Sequence, residues 1–195
     1  MTVHPGGRAR CPWPGSDPLY LDYHDTQWGV PLRDDQALFE LFILETFQAG
    51  LSWHMILKRR ESFRRAFDGF DPAVMAAYTD SDLERLMGDP GIIRNRLKIS
   101  AARDNAHAFL ALAQGHGGFA RYLWEFVDHA PIVNAWENMA QVPATTPLSD
   151  AVSRALKAQG FRFVGSTTMY AFLQSAGLVN DHLVSCFRHA ELSGA

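Results

Sequence analysis

Along most of the chain apolar residues return at intervals of three and four, and the strict alternation that marks a half-buried strand is missing. The pattern predicts an all-α protein with helices of ~10 to 16 residues. Asp34-Asp35 caps a helix whose Leu38, Leu41 and Phe42 share one stripe and which ends near Ala49-Gly50. Ser52 caps the next, with Ile56, Leu57, Phe63 and Phe67 turned inward and Lys58, Arg59, Arg60, Arg64 and Arg65 largely outward. Asp71-Pro72 supplies a cap and a first-turn proline for a third helix, and Ser81-Asp82 opens a fourth. Arg94 to Ala113 forms a longer fifth, which Gly115 to Gly118 breaks. Phe119 to Val127 reads as an aromatic-rich helix, and Pro131 to Pro147 as a helix-poor connection.

The last third has a different form. A helix over Ser149 to Gln159 runs into the turn Gly160-Phe161-Arg162-Phe163-Val164-Gly165, then a helix over Ser166 to Ala176 closed by Gly177. This is a helix-hairpin-helix pattern over about 149–176. Gly160 and Gly165 would let the backbone turn sharply, and the amides that open the second helix would form an anion site suited to a phosphate. The same spacing also fits a plain loop between two helices.

One acid interrupts this order. Phe42, Leu41 and Leu38 stand three, four and seven residues before Glu45, which puts a carboxylate in the middle of an apolar stripe. Charged residues are almost never fully buried unless paired or used. Glu45 is therefore either a site residue or half of a buried salt bridge or loop cap, and periodicity leaves both open. The turn Gln48-Ala49-Gly50-Leu51-Ser52-Trp53 follows, with a leucine at its tip and an indole near the acid. A carboxylate beside an indole suits an aromatic ligand that carries an amine. Upstream, Trp13, Tyr20, Tyr23 and Trp28 crowd one short stretch, either as core or as walls on which a flat base stacks.

Composition narrows the class. At 195 residues with 47% hydrophobic and 20% charged positions, the chain can bury roughly 70% of its unfolded surface and needs no disulfide to fold. Nothing marks a flexible linker, so a single domain over 1–195 is expected. The net charge of −3 gives no global nucleic-acid signature, so a nucleic-acid site would have to be a local patch. The uncharged run from Phe163 to Asn180 is diluted by Ser166, Thr167, Thr168, Gln174 and Ser175, so it reads as buried helix and no membrane partner is expected. The start, Met1 to Arg10, lacks the apolar stretch of an export signal, and a cytoplasmic location is expected.

Only two cysteines occur, Cys11 and Cys186. His182 and Cys186 share one face of a helical turn, and Cys11 and His24 lie near the other terminus. Together they have the composition of a closed structural zinc site. Their spacing matches no short zinc-finger signature, and on spacing alone two free thiols and two ordinary histidines is the stronger reading.

Several words of this sequence then align with one family. They are Arg10-Cys11-Pro12-Trp13, Asp17-Pro18-Leu19-Tyr20, Tyr23-His24-Asp25-Thr26-Gln27-Trp28-Gly29-Val30-Pro31, Leu44-Glu45-Thr46-Phe47-Gln48-Ala49-Gly50-Leu51-Ser52-Trp53, Gly91-Ile92-Ile93-Arg94-Asn95-Arg96-Leu97-Lys98-Ile99, Gly160-Phe161-Arg162-Phe163-Val164-Gly165 and Val179-Asn180-Asp181-His182. In these, and in their order from Cys11 to Cys186, the chain resembles the bacterial DNA-3-methyladenine glycosylase I family. The resemblance implies the helix-hairpin-helix DNA glycosylase fold, with the hairpin at Gly160 to Gly165 gripping the DNA backbone. It implies one structural Zn2+ per chain on Cys11, His24, His182 and Cys186, joining the N- and C-terminal segments. The family's base-recognition carboxylate falls on Glu45, which would be the catalytic residue and act primarily in recognition. Tyr23 would join it in hydrogen bonding the base, Trp53 and Trp13 would supply stacking walls, and Tyr20 would line the site.

The implied reaction hydrolyses the N-glycosidic bond of 3-methyladenine, with 3-methylguanine a further candidate, in alkylated double-stranded DNA. Methylation at N3 leaves the base cationic in the nucleotide and a good leaving group, so little acid catalysis is needed. The enzyme must extrude the lesion, at a cost of a few kcal/mol, and admit water to C1′. No lysine precedes the second hairpin helix, where Ser166-Thr167-Thr168 stands, so a monofunctional enzyme that leaves an abasic site and frees 3-methyladenine is expected. Gly50 and Leu51 form the candidate wedge into the gap left by the flipped base, the rival reading being a leucine packed on a neighbouring helix. Asp181 stands near the place where wider relatives carry an assisting aspartate, but the family resembled is thought to work without it. Lys58, Arg59 and Arg60, then Arg94, Arg96 and Lys98, then Arg154, Lys157 and Arg162 are candidate phosphate contacts. A monomer is expected. The alternatives are a non-catalytic zinc-stabilised DNA-binding module, which would release no base, and a zinc hydrolase, which four protein ligands would close off.

Overall fold

The computed structural model describes residues 7–194. The first six residues of the start read above, Met1 to Gly6, lie outside the described residues, as does Ala195. Among the described residues eleven α-helices carry the fold: α1 Pro18–Thr26, α2 Asp35–Gln48, α3 Trp53–Leu57, α4 Arg60–Ala66, α5 Pro72–Ala76, α6 Asp80–Gly88, α7 Arg96–His116, α8 Phe119–Glu125, α9 Pro147–Ala158, α10 Ser166–Ser175 and α11 Phe187–Leu192. Two short strands, β1 Ile132–Val133 and β2 Val179–Asn180, pair in parallel. Strands this short show no alternation to read, which is why an all-α pattern conceals them.

The centre of the molecule is α2. Asp34 caps it at Ala37 N, and every residue from Leu41 to Phe47 is buried. The single stripe expected for this helix is therefore a helix wrapped on all sides by α3, α7, α8 and α10. Asp35, in its first turn, accepts from the backbone N–H groups of Phe119 and Ala120 and so caps α8 as well.

The helix expected after Ser52 is two helices. The chain breaks at Lys58-Arg59, and α3 holds Trp53 while α4 packs Phe63 edge-on against Phe47 with ring centroids 4.9 Å apart. The fourth expected helix begins earlier than Ser81, because Thr79 and Asp82 form a capping box. Two helices escape the periodicity altogether. Of these, α1 starts on Asp17-Pro18, the same cap and first-turn proline that mark α5, but its apolar residues make no stripe.

The C-terminal hairpin is α9, capped by a Thr146–Ser149 box, then the turn, then α10. Its geometry corrects one expectation. Gly160 has a φ of +88°, but Gly165 sits at an ordinary −60° and the second left-handed residue is Phe163 at +58°. The strained turn is braced from inside. Asn105 accepts from Arg162 N at 2.7 Å and donates to Arg162 O at 3.2 Å, and Ser153 Oγ donates to Val164 O at 2.6 Å. After α10 the chain passes so close to residues 30–31 that a Cβ on Gly177 would come 2.4 Å from the Val30 carbonyl carbon. No described helix is long and apolar enough to cross a membrane.

Candidate active site

A cavity of about 310 Å³ opens between α1, α2, α3, α10 and the 139–144 connection. Glu45, from the last turn of α2, is 1% exposed at its floor. Ser175 Oγ donates to Glu45 Oε1 at 2.8 Å, whereas Oε2 has no partner among the described residues. No cation is paired with it, so burial pushes its pKa up to about 8. The salt-bridge reading of this acid is thereby set aside for the described residues.

Three more buried polar atoms on the same wall have no partner among the described residues: Tyr23 OH, Gln48 Oε1 and Trp53 Nε1. Leaving a buried polar group unpaired costs about 1–3 kcal/mol each, so four converging on one cavity mark a place built to be completed by a ligand. Their chemistry describes that ligand. Two acceptors, one indole donor and one phenol that can do either face a slot whose sides are aromatic. Burial also holds the Tyr23 phenol far above its ordinary pKa, so it is neutral and able to donate.

The aromatic walls are interlocked. Trp13 meets Tyr20 edge-on at 4.9 Å and Trp28 at 5.1 Å, and Tyr23 tilts against Trp53 at 5.4 Å. Behind Tyr20, His54 stacks at 4.8 Å and near-parallel, with its Nε2 3.0 Å from Asp17. The structure thus brings Glu45, Tyr23, Trp53, Trp13 and Tyr20 to one cavity. It adds Gln48, Ser175, Tyr170 and Gln174, which the sequence reading did not single out. Gln48 lies three residues after Glu45 and so shares its helix face, a signal available in the sequence. Ser175 carries no such signal.

Beside the cavity, a shallow groove runs between the turn Ala49-Gly50-Leu51 and the start of α10, lined also by Thr167 and Thr168. Leu51 stands 37% exposed at the tip, and Gly50 has a φ of +78°. The turn is held from below by Lys98. This residue is buried, and its ammonium donates to Phe47 O at 2.8 Å and Ala49 O at 2.6 Å, which removes it from the candidate phosphate contacts. Several other candidates are engaged by acids: Arg60 with Glu40, Arg96 with Glu84, Arg162 with Asp104 and Lys58 with Asp17. Arg94, Arg154 and Lys157 are exposed and form no ion pair with the described residues.

At the far side of Trp13 and Trp28, Cys11, His24, His182 and Cys186 are all buried with their ligand atoms within 4.8 Å of one another. Three Sγ to imidazole nitrogen distances are 3.5, 3.5 and 3.6 Å. Ligands 2.3 and 2.0–2.1 Å from one tetrahedral centre stand about 3.6 Å apart, so the set fits a metal ion. Outer partners fix both rings. His24 Nδ1 lies 2.8 Å from Asp25, which Arg10 grips with two nitrogens, and His182 Nε2 lies 3.1 Å from Trp28 O.

Comparison with known proteins gives one family. The family model described as methyladenine glycosylase matches residues 13–189. The chain is 50% identical to DNA-3-methyladenine glycosylase 1 of Escherichia coli (strain K12), over 91% of this chain and 95% of that protein. A crystal structure of 3-methyladenine DNA glycosylase I is 49% identical with a TM-score of 0.90, covering 92% of this chain and 98% of that one. A variant of 3-methyladenine DNA glycosylase I, crystallised in complex with 3-methyladenine, is 38% identical with a TM-score of 0.89, covering 91% of this chain and 96% of that one.

Proposed function

The chain belongs to the methyladenine glycosylase family, and from that premise we propose how its cavity carries out the reaction. It is a DNA-3-methyladenine glycosylase, a repair enzyme that hydrolyses the bond between the damaged base and its sugar. The observation that carries the residue assignments is the set of four unpartnered polar atoms on one aromatic-walled cavity.

The flipped 3-methyladenine slides between Trp13 and Tyr20 on one side and Tyr23 and Trp53 on the other. Glu45 Oε2 accepts from its exocyclic amine, and the Tyr23 hydroxyl bonds a ring nitrogen. The base is cationic while still attached to the sugar. A carboxylate and aromatic faces in a water-poor pocket favour that charge over neutral adenine. A guanine would turn a carbonyl oxygen toward Glu45, so 3-methylguanine is the poorer substrate. The base departs neutral, so the pocket need not supply a proton. Water attacks C1′ and leaves an abasic site, because no lysine stands among Ser166, Thr167 and Thr168 at the start of α10.

DNA is held from two sides. Leu51, exposed at the tip of its turn, fills the stack that the flipped nucleotide leaves, with Gly50 allowing the turn. The hairpin from Gly160 to Gly165 acts as a helix-hairpin-helix, in which the first amides of α10 face a phosphate. A Cβ on Gly165 would touch nothing within the protein, so that glycine serves an approach from outside. Arg94, Arg154 and Lys157, the exposed candidates without an ion pair among the described residues, meet the backbone. Cys11, His24, His182 and Cys186 hold one zinc ion, which would tie the segments before α1 and after α10 together and stay out of the chemistry. The chain acts as one domain and a monomer, in the cytoplasm.

The test is chromatography of the bases freed from methylated duplex DNA. 3-Methyladenine should dominate, with 3-methylguanine well below it, and the strand should break only after alkali. A folded, metal-loaded protein that frees no base would return the non-catalytic DNA-binding module.

A further inference from the structure

Residues 131–147 form the outer wall of the cavity, through Met139, Val142, Pro143 and Ala144, yet this strap has little structure of its own. Its only helical piece is a single turn at Met139–Gln141, and much of it is exposed. Backbone bonds hold its first part: Ile132 N to Leu178 O, Asn134 N to Asn180 O, and Val184 N to Trp136 O. Two side chains from beyond the strap also hold it: His189, whose Nε2 lies 2.8 Å from Asn134 O, and Asp181, which takes two of its side-chain donors.

Asp181 is 2% exposed and accepts four hydrogen bonds. Its Oδ1 takes Asn134 Nδ2 at 2.7 Å and Trp136 Nε1 at 2.8 Å, both from the strap. Its Oδ2 takes Gln174 Nε2 at 2.7 Å and the Tyr170 hydroxyl, both from α10 and both lining the cavity. These four donors use the four acceptor positions of a carboxylate. None is left to take a proton from water or to face a cationic sugar, although the residue borders the cavity.

We propose that Asp181 is a positioning residue of the base pocket: its carboxylate fastens the 131–147 strap to α10 and so sets the width of the slot opposite Glu45. The role is mechanical, since donors from the strap and α10 take all four acceptor positions of the carboxylate. The inference rests on the glycosylase reading above, because it is the bound base that the strap confines.

The test compares wild type with Asp181→Ala, Asp181→Asn and Trp136→Phe for free 3-methyladenine affinity, KM and kcat on methylated DNA, and bound metal per chain. Asp181→Ala should weaken free-base binding and raise KM by about tenfold, with kcat changed by less than about threefold. Asp181→Asn keeps an acceptor for both strap donors and should recover most of the affinity. Trp136→Phe removes one strap donor without touching the cavity and should weaken free-base binding by about threefold at unchanged kcat. Metal content should stay at the wild-type level throughout. A loss of kcat of about a hundredfold or more in Asp181→Asn, with free-base affinity intact, would show that the charge acts in the chemistry and overturn the proposal. So would an unchanged affinity in Asp181→Ala, or, if that variant fails to fold, in Trp136→Phe. Failure of the wild type itself to bind the base would instead sink the functional reading.

Discussion

Glu45 keeps its proton well past the pH at which a solvated glutamate gives it up, because the cavity offers its carboxylate one hydroxyl and no cation. Its pKa rises on folding from an ordinary 4.5 to about 8, so the folded state binds the proton more tightly than the unfolded chain. The stability this contributes is present below about 4.5 and lost as pH climbs through about 8. Urea melts of the ligand-free protein should therefore show stability falling between pH 6 and 8.5, and Glu45→Gln should flatten that part of the curve. A slope unaltered by the substitution would mean that another group titrates there. Base release needs the ionised form, so kcat/KM should rise with pH to a plateau above about 8 in the free enzyme. Helical phase alone was enough to find this residue, because a charge seven residues along an apolar stripe contradicts its surroundings. Gln48 was legible only through the helix face it shares with Glu45, and Ser175 not at all, since a small polar residue contradicts nothing and only the fold brings it to Glu45.

Helices announce themselves through caps and apolar returns, and most of their centres could be read that way. Their boundaries and breaks could not, since α3 and α4 share one continuous pattern and separate only because Trp53 and Phe63 pack against different neighbours. Glycines were the least legible elements, because the letter is the same whether the reason lies inside or outside the protein. Two of them make opposite predictions. Gly177→Ala forces a Cβ into the backbone of residues 30–31 at a φ of +71°, and should cost roughly 3 kcal/mol or more by chemical denaturation. Gly165→Ala meets nothing inside the protein, so its stability should stay within about 0.5 kcal/mol of wild type. On the proposed hairpin contact, its affinity for abasic DNA should nevertheless fall by about tenfold, near 1.4 kcal/mol, because the methyl group would meet an approaching phosphate. Equal affinities in a filter or anisotropy titration would remove the hairpin from the DNA interface.

The molecule as a whole joins a pocket to a staple. The main core runs from Tyr23 to Val179, while Cys11, Leu183 and Cys186 form a separate small cluster packed by Trp13, Trp136 and Phe187. Trp13 belongs to both the cavity and that cluster, so the Cys/His group braces a wall of the site without reaching the base. On the proposal that this group holds zinc, a strong chelator should lower unfolding stability by about 3 kcal/mol or more, while excision by the fraction still folded stays close to normal. Activity lost in step with metal at temperatures well below melting would give the ion a part in the chemistry. The two cysteines and two histidines could be picked out in the sequence, but spacing could not join residues from opposite ends of the chain. The strap stayed hidden for a related reason, since it is held by backbone bonds to residues 178–184 and by its own donors to the distant Asp181.

The central claim is that Glu45 recognises the cationic base, and single-turnover excision of 3-methyladenine by Glu45→Gln tests it most directly, beside binding of the same variant to abasic duplex. The account predicts excision slowed by about a hundredfold or more with DNA affinity within about twofold of wild type. Excision at the wild-type rate would contradict it and leave the buried carboxylate without a function.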